Sequence, residues 1–248
     1  MQVKQVVVAV SLLLSACVVV QEGPTQNEKA SKINVQLGIG YYNQNNLELA
    51  NEKLLKALDQ DPQSSQAHHA FAVLQNRFLN REKAEYHFIK AVELDDSNSE
   101  AMNNYGAFLC QDERYVKARD LFLRAVENPL YRTPEVAYTN AAVCLRKGGQ
   151  EPEAVKDYLR RALGTGRNYG PALLVLGEIG LEDNQPELTA NYMRRFHTTN
   201  RPTARSLWLS IQAENELDNP EAVEQLAQRL KRDFPDSTEY QSWLELVQ

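Results

Sequence analysis

The chain has 248 residues, a formal net charge of −6, 43% hydrophobic residues and 24% charged residues. This acidic balance, with no basic tract, argues against a nucleic-acid partner and against charge-driven binding to a membrane. Eleven tyrosines, together with modest glycine and proline contents, predict that most of the chain folds.

The N-terminal segment has the layout of a secretory signal. Lys4 is its only charge, a short apolar run follows from Val6 to Leu14, and small residues lead to Cys17. The apolar run is shorter than the roughly 20 residues that a transmembrane helix needs. The stretch Leu14-Ser15-Ala16-Cys17 resembles the lipobox of bacterial lipoproteins.

The lipobox resemblance implies that residues 1–16 are a cleaved signal peptide and that Cys17 carries lipid, such as palmitate. An ordinary signal peptide with an incidental cysteine is the alternative. By analogy with Gram-negative sorting, Val18 in place of an aspartate favours the outer membrane, with the protein facing the periplasm. Residues 17–30 are largely polar and include Gly23 and Pro24, which predicts a lipidated flexible tether.

Small and large apolar residues recur with a period of 34 residues from the first helix onwards. The recurring residues are Gly38, Ala50, Leu54 and Ala57, then Ala72, Ala84, Phe88 and Ala91, then Gly106, Ala118, Phe122 and Ala125. This pattern resembles the tetratricopeptide repeat (TPR), in which small residues let the two helices of a unit approach closely. It predicts an all-α, right-handed superhelix with six repeats over residues 31–236 and a capping helix over residues 237–248.

The later repeats are less regular than the first three. An insertion at Asn128–Pro134 carries two prolines and lengthens the joint between the third and fourth units. The fifth and sixth units, starting near Gly170 and Thr203, match the pattern only weakly. Their predicted boundaries therefore carry errors of several residues.

Two cysteines, Cys110 and Cys144, lie 34 residues apart in the first helices of consecutive units. In an exported protein this pair permits a disulfide, because neighbouring first helices pack side by side. The alternative is that both are small buried hydrophobic residues.

Catalytic and metal-binding motifs are lacking in the sequence. The four histidines form no His-Glu-x-x-His motif, and His68 and His69 point about 100° apart on a helix. No Gly-x-Ser-x-Gly elbow is present, and the glycine-containing stretch 164–170 follows a predicted helix, so it lacks the context of a phosphate loop. We therefore expect no enzyme activity, no metal, no cofactor and no small-molecule substrate.

The first helix of each TPR unit lines the concave wall, and its positions 2, 5, 9, 12 and 13 commonly contact a partner. These positions predict a partner-binding groove in the early repeats. The candidate residues are Val35, Ile39, Tyr42, Asn43, His69, Val73, Asn76, Arg77 and Asn103, followed by Ala107, Gln111, Thr139, Val143 and Lys147. Amide side chains can pair with an extended peptide backbone, and tyrosine supplies contact area at low entropic cost. Alternatively, Val35, Ile39 and Val73 pack against neighbouring repeats.

Several segments resemble the PilF/PilW family of type IV pilus biogenesis lipoproteins. They are the stretch Asn103–Cys110, with the sequence NNYGAFLC, then Pro129-Leu130-Tyr131, and Asn140-Ala141 followed by Cys144. The resemblance covers nearly the whole chain, although Ala142 stands where a glycine is expected.

The family resemblance implies an outer-membrane pilotin, a lipoprotein that binds type IV pilus secretin subunits and promotes their localisation and multimerisation. One alternative is another periplasmic TPR scaffold for outer-membrane protein or cell-wall assembly. A second is an enzyme with accessory repeats, but no segment outside the repeats is long enough for a catalytic domain.

Overall fold

The computed structural model describes residues 23–247, and the predictions for residues 1–16 and Cys17 lie outside this range. It contains thirteen α-helices between residues 23 and 247 and no strands there, which confirms the all-α prediction. The helices are α1 Gln26–Asn43, α2 Leu47–Gln60, α3 Ser65–Arg77, α4 Arg81–Leu94, α5 Ser99–Gln111, α6 Tyr115–Glu127, α7 Pro134–Lys147, α8 Pro152–Thr165, α9 Gly170–Glu182, α10 Pro186–Thr199, α11 Ala204–Glu216, α12 Pro220–Asp233 and α13 Thr238–Leu246. None of these helices is long and apolar enough to cross a membrane.

Helix starts follow from capping residues in the sequence. At α1, the Thr25 hydroxyl accepts a hydrogen bond from the Glu28 amide at 3.2 Å, and the Glu28 carboxylate accepts one from the Thr25 amide at 2.6 Å. This reciprocal pair satisfies two backbone donors that the helix itself leaves free. Helices α7, α8, α9 and α10 instead carry proline in their first two positions, where no backbone donor is required. Helix α12 has both such a proline and a capping side chain, Asn219.

In each of the six helix pairs, the turn between the two helices contains one residue in the left-handed region of backbone conformation. The φ angles lie between 54° and 65°, at Asn45, Leu79, Glu113, Gly149, Asn184 and Asp218. These residues follow one another at intervals of 34 to 36 positions, so the backbone keeps the repeat register even where the sequence pattern is weak.

The odd-numbered helices α1 to α11, called the A helices here, form the inner layer of the array. Each packs antiparallel on the even-numbered B helix of its own unit and also contacts the next A helix, from α1 with α3 to α9 with α11. Successive B helices, such as α2 and α4, have no Cα atoms within 8 Å of each other among the described residues. Because the A helices lie closer together, the array curves towards them and they line its concave wall.

Small residues allow this packing, as the periodicity predicts. Ala84, Ala91, Ala118 and Ala125 are completely buried beside Phe88 and Phe122, which are each 1% exposed. The recurring glycines sit where a methyl group would collide with the large residue. A Cβ on Gly106 would lie 2.7 Å from Phe122 Cε1.

The insertion and the C-terminal segment, which both depart from the repeat pattern, have defined structures. In the insertion, the Asn128 side chain donates to Ser97 O at 2.9 Å and accepts from the Leu130 amide at 2.9 Å, so the longer joint folds back on the preceding turn. At the C-terminus, α13 packs Tyr240 and Trp243 against the buried cluster of the sixth unit.

Candidate functional site

The concave wall formed by the A helices is the candidate site, and repeat position decides which side chains reach its surface. At position 5, Val35 is 4% exposed, Asn103 7% and Thr139 4%. Neighbouring A helices approach each other here, and Val35 packs in one cluster with Phe71 and Leu74 of α3. Position 5 therefore joins repeats in three of the four early units, which supports the packing interpretation for Val35 over the predicted groove role.

Positions 9 to 13 supply the accessible groove surface of the first unit. Ile39 is 45% exposed, Tyr42 is half-buried and Asn43 is exposed. Tyr42 packs on the cluster that contains Val35, Phe71 and Leu74, so its ring is held in place. A fixed aromatic ring beside an exposed aliphatic side chain is a common anchor for a protein partner.

The second and third units continue this surface. Val73 and Ala107, both at position 9, are half-buried, whereas Arg77 and Gln111 at position 13 are exposed. Val73 also packs against the core cluster that contains Phe88 and Phe108, so it contributes both to the groove and to the interface between repeats. In the fourth unit, Val143 is half-buried and Lys147 is exposed.

Arg81, at the start of α4, orients the amide side chains at the end of the groove. Its guanidinium donates to Asn76 Oδ1 at 2.7 Å and to Gln111 Oε1 at 3.2 Å, and it pairs with Asp112. The same guanidinium lies 3.9 Å above the centre of the Phe108 ring, which fixes its position. With their oxygens held by Arg81, Asn76 and Gln111 present their NH₂ groups as donors for peptide carbonyl groups.

His69 is held on the groove floor by α5. Asn104 Nδ2 donates to His69 Nε2 at 2.8 Å, so this nitrogen acts as an acceptor and the neutral ring carries its proton on Nδ1. Burial disfavours the charged ring and lowers the pKa of His69 to about 4. His69 is therefore neutral at physiological pH and serves as a polar contact without charge.

The A helices are tied to one another along the groove floor. Asn140 Nδ2 donates to Asn103 Oδ1 at 3.0 Å, and a disulfide joins Cys110 of α5 to Cys144 of α7 across a Cα–Cα distance of 5.7 Å. These links span the joint where the insertion interrupts the regular stack. They hold the third and fourth units in one fixed arrangement.

A charged network occupies the later part of the inner wall, beyond the predicted groove residues. Arg146 of α7 donates to Glu178 of α9 at 2.9 Å and also pairs with Glu182. Arg205 of α11 pairs with the same Glu178. Repeat position could have located Glu178, because it directly follows Gly177, the small residue of the fifth unit. The inner wall thus changes from apolar and amide side chains to paired charges along its length.

Known proteins share the sequence pattern and the shape of this chain. The type IV pilus assembly protein PilF of Pseudomonas aeruginosa is 29% identical over 216 residues, covering 87% of this chain and 85% of PilF. The solved structure of that PilF superposes with a TM-score of 0.80 at 28% identity, over 89% of this chain and 99% of the other. The chain is homologous to PilF and shares the TPR fold of the PilF and PilW type IV pilus biogenesis proteins.

Two further structures agree with this assignment. PilW, described as a widely conserved type IV pilus biogenesis factor, superposes with a TM-score of 0.76 at 27% identity, over 86% of this chain and 98% of PilW. YrrB, a TPR protein with an unusual peptide-binding site, is 19% identical with a TM-score of 0.57, over 77% of this chain and 97% of YrrB, and shows the fold alone. The TPR superhelix prediction for this homologue of PilF is confirmed. No family model matches the sequence.

Proposed function

We propose that this protein belongs to the PilF/PilW family and is an outer-membrane pilotin that faces the periplasm and binds type IV pilus secretin subunits. In this role it promotes their localisation and multimerisation for pilus biogenesis and twitching motility. The observation that carries the proposal is the accessible part of the inner wall in units one to three. There Ile39, Tyr42 and Val73 lie beside the oriented amides of Asn76 and Gln111.

The chemistry of this surface favours an extended polypeptide as the ligand. Apolar and aromatic side chains supply contact area, and the NH₂ groups of two amides supply donors for main-chain carbonyl groups. Accessible side chains occur in three successive units, from Ile39 to Gln111, which suits a chain segment better than a small molecule. Membership of a pilus biogenesis family then favours a subunit of the pilus machinery as the source of that segment.

Lipidation at Cys17 completes the proposal. The predicted flexible tether to residue 30 is too long, because α1 already begins at Gln26. A lipidated Cys17 and the shorter segment before α1 would hold the groove within a few nanometres of the membrane. Subunits captured by tethered grooves would reach a higher local concentration at the membrane than free subunits, which favours multimerisation.

Binding of a purified secretin subunit to the full chain tests the role of the groove. We expect Ile39→Asp to weaken binding by at least about tenfold, because it places a charge in the apolar part of the contact. Val116→Asp is the matched control, because Val116 is 55% exposed and lies on the B helix α6, away from the inner wall. Equal affinity of both variants and the wild type would contradict the groove proposal.

A further inference from the structure

Two histidines from different helices face each other outside the groove, at an open cavity of the second unit. His68 of α3 and His87 of α4 place their Nδ1 atoms 2.8 Å apart. The cavity beside them is lined by Pro62, Gln63 and Tyr86, among others. His68 is 7% exposed and His87 is half-buried, so both rings are held in place while one side of the pair reaches solvent.

The hydrogen bonds of His68 fix the proton positions of the pair. His68 Nε2 lies 3.1 Å from the carbonyl oxygen of Pro62 and must donate to it, because that oxygen can only accept. In the neutral ring, His68 Nδ1 then has a free lone pair, and His87 Nδ1 carries the single proton that the two rings share. Burial lowers the pKa of His68 and lowers that of His87 to about 4, so both rings are neutral near pH 7.

Packing alone does not require imidazole rings at these positions. One repeat later, 34 residues on, Met102 and Leu121 stand in their places and are buried in the core, at 2% and 8% exposed. An apolar pair thus satisfies the same repeat positions in the third unit. The second unit instead places two nitrogen ligands together at the edge of a solvent-accessible cavity.

We propose that His68 and His87 form a two-histidine site for a divalent transition metal ion of the Zn²⁺ or Ni²⁺ type. The ion would take the place of the proton between the two Nδ1 atoms, and that proton would move to Nε2 of His87, so the pair releases no net proton. Tetrahedral Zn²⁺ with bonds of about 2.0–2.1 Å needs the two nitrogens about 3.3 Å apart. A shift of about half an ångström in the half-buried His87 ring provides this spacing.

The surroundings of the pair suit such a site. The bond from His68 Nε2–H to Pro62 O is the kind of outer contact that orients metal-binding histidines. Lys90 also lines the cavity, but its ammonium group is paired with Glu93 at 2.9 Å, which offsets its charge. Residues 23–247 contain no group of three or more histidine, cysteine, aspartate or glutamate side chains placed to hold a metal. Water from the open side of the cavity would therefore complete the coordination.

Calorimetric titration of the full chain with ZnCl₂ and NiCl₂ in metal-free buffer tests the site. We expect one saturable site per chain and a loss of affinity of at least about tenfold in both His87→Ala and His68→Gln. His197→Gln is the matched control and should bind as the wild type does, because His197 bonds to Ser206 in the later repeats. Circular dichroism establishes that each variant retains its helices.

Nuclear magnetic resonance of the histidine rings gives a second test, because Zn²⁺ would not change the ring signals of a pair with a purely structural role. On adding Zn²⁺, the Nδ1 signals of His68 and His87 should shift together while Nε2 of His68 stays protonated. The absence of saturable binding, unchanged affinity in His87→Ala, or shifts confined to other histidines would each overturn the proposal.

Discussion

At the scale of single residues, close contacts between small and large side chains set the distance between the helices of each pair. A Cβ on Gly38 would lie 2.6 Å from Leu54 Cγ, and one on Gly106 would lie 2.7 Å from Phe122 Cε1. Glycine is therefore required at these positions because a larger side chain would collide with its neighbours, and not because of an unusual backbone conformation. The two sites show why the same positions recur every 34 residues.

The first prediction concerns Gly106. A methyl group there would also lie 3.0 Å from the carbonyl oxygen of Ala118, which cannot move without shifting α6. We expect Gly106→Ala to lower the free energy of unfolding by about 1–3 kcal/mol, more than the gain of up to about 1 kcal/mol in helix propensity. Urea denaturation measures the change.

Gly40→Ala is the control for this prediction. A Cβ on Gly40 would have no neighbouring atom within 4 Å, and the residue lies inside α1. We expect this variant to gain up to about 1 kcal/mol from helix propensity alone. Similar effects of the two substitutions would contradict the packing argument.

The second prediction concerns His69 and pH. Burial lowers the pKa of His69 in the folded chain to about 4, below the usual value of about 6.5 for an exposed ring, so the unfolded chain binds more protons between these values. Stability should therefore fall as the pH drops below about 6.5 and level off near 4. Between pH 7 and pH 5 we expect His69 to account for a loss of about 1–2 kcal/mol.

Urea denaturation of the wild type and His69→Gln at both pH values isolates this contribution from that of the carboxylates. Glutamine does not titrate, so the variant should lose less stability than the wild type between pH 7 and pH 5. An identical loss in both proteins would show that His69 is not the group responsible.

Repeat position predicted the candidate groove residues only in part. Ile39, Tyr42, Asn43 and Arg77 lie at or near the surface, whereas Val35 is buried. The sequence could not show this, because burial at position 5 depends on how closely successive A helices approach. The sequence also could not show that His68 and His87 contact each other, because they lie on different helices, 19 residues apart.

At the scale of helices, the joint between the third and fourth units combines an insertion with a covalent link. The insertion breaks the 34-residue period at Asn128–Pro134, while the disulfide connects α5 to α7 directly across that joint. The hydrogen bond between Asn103 and Asn140 adds a second tie between the same helices. The irregular sequence is thus compensated on the inner wall.

The third prediction is that removing the disulfide destabilises this joint. Cys110 and Cys144 are 34 residues apart, and closing a loop of that length contributes about 3–4 kcal/mol in the chain-entropy model. The double variant Cys110→Ser with Cys144→Ser should lose a comparable amount in urea denaturation. The wild type in reducing buffer should match the variant, and an unchanged midpoint in both would contradict a stabilising role.

The regular helices followed from the sequence more readily than the joints did. Alanine and aromatic residues at fixed spacing predicted α1 to α6, and the predicted capping segment contains α13 at Thr238–Leu246. The fifth unit carries a weaker pattern, with Met193 beside Gly177 where the first three units have Leu54, Phe88 and Phe122. The turns of the fifth and sixth units are nevertheless marked by the left-handed residues Asn184 and Asp218.

At the scale of the whole molecule, the inner wall is divided into two chemically different parts. The early repeats present apolar and amide side chains, whereas Arg146, Glu178, Glu182 and Arg205 pair with one another in the later repeats. Charges that are already paired gain little from a new partner. The division therefore favours the early repeats as the part of the groove that captures a polypeptide, close to the proposed anchor at Cys17.

The most direct test of the proposed role is the assembly of the secretin in the bacterium that carries this chain. Outer-membrane fractions from a strain lacking the protein are run on a gel, and heat- and detergent-resistant secretin multimers are compared with monomers. We predict that multimers are lost while monomer persists, and that the wild type restores them but Ile39→Asp and Cys17→Ala do not. Normal multimers in the strain that lacks the protein would contradict the pilotin account.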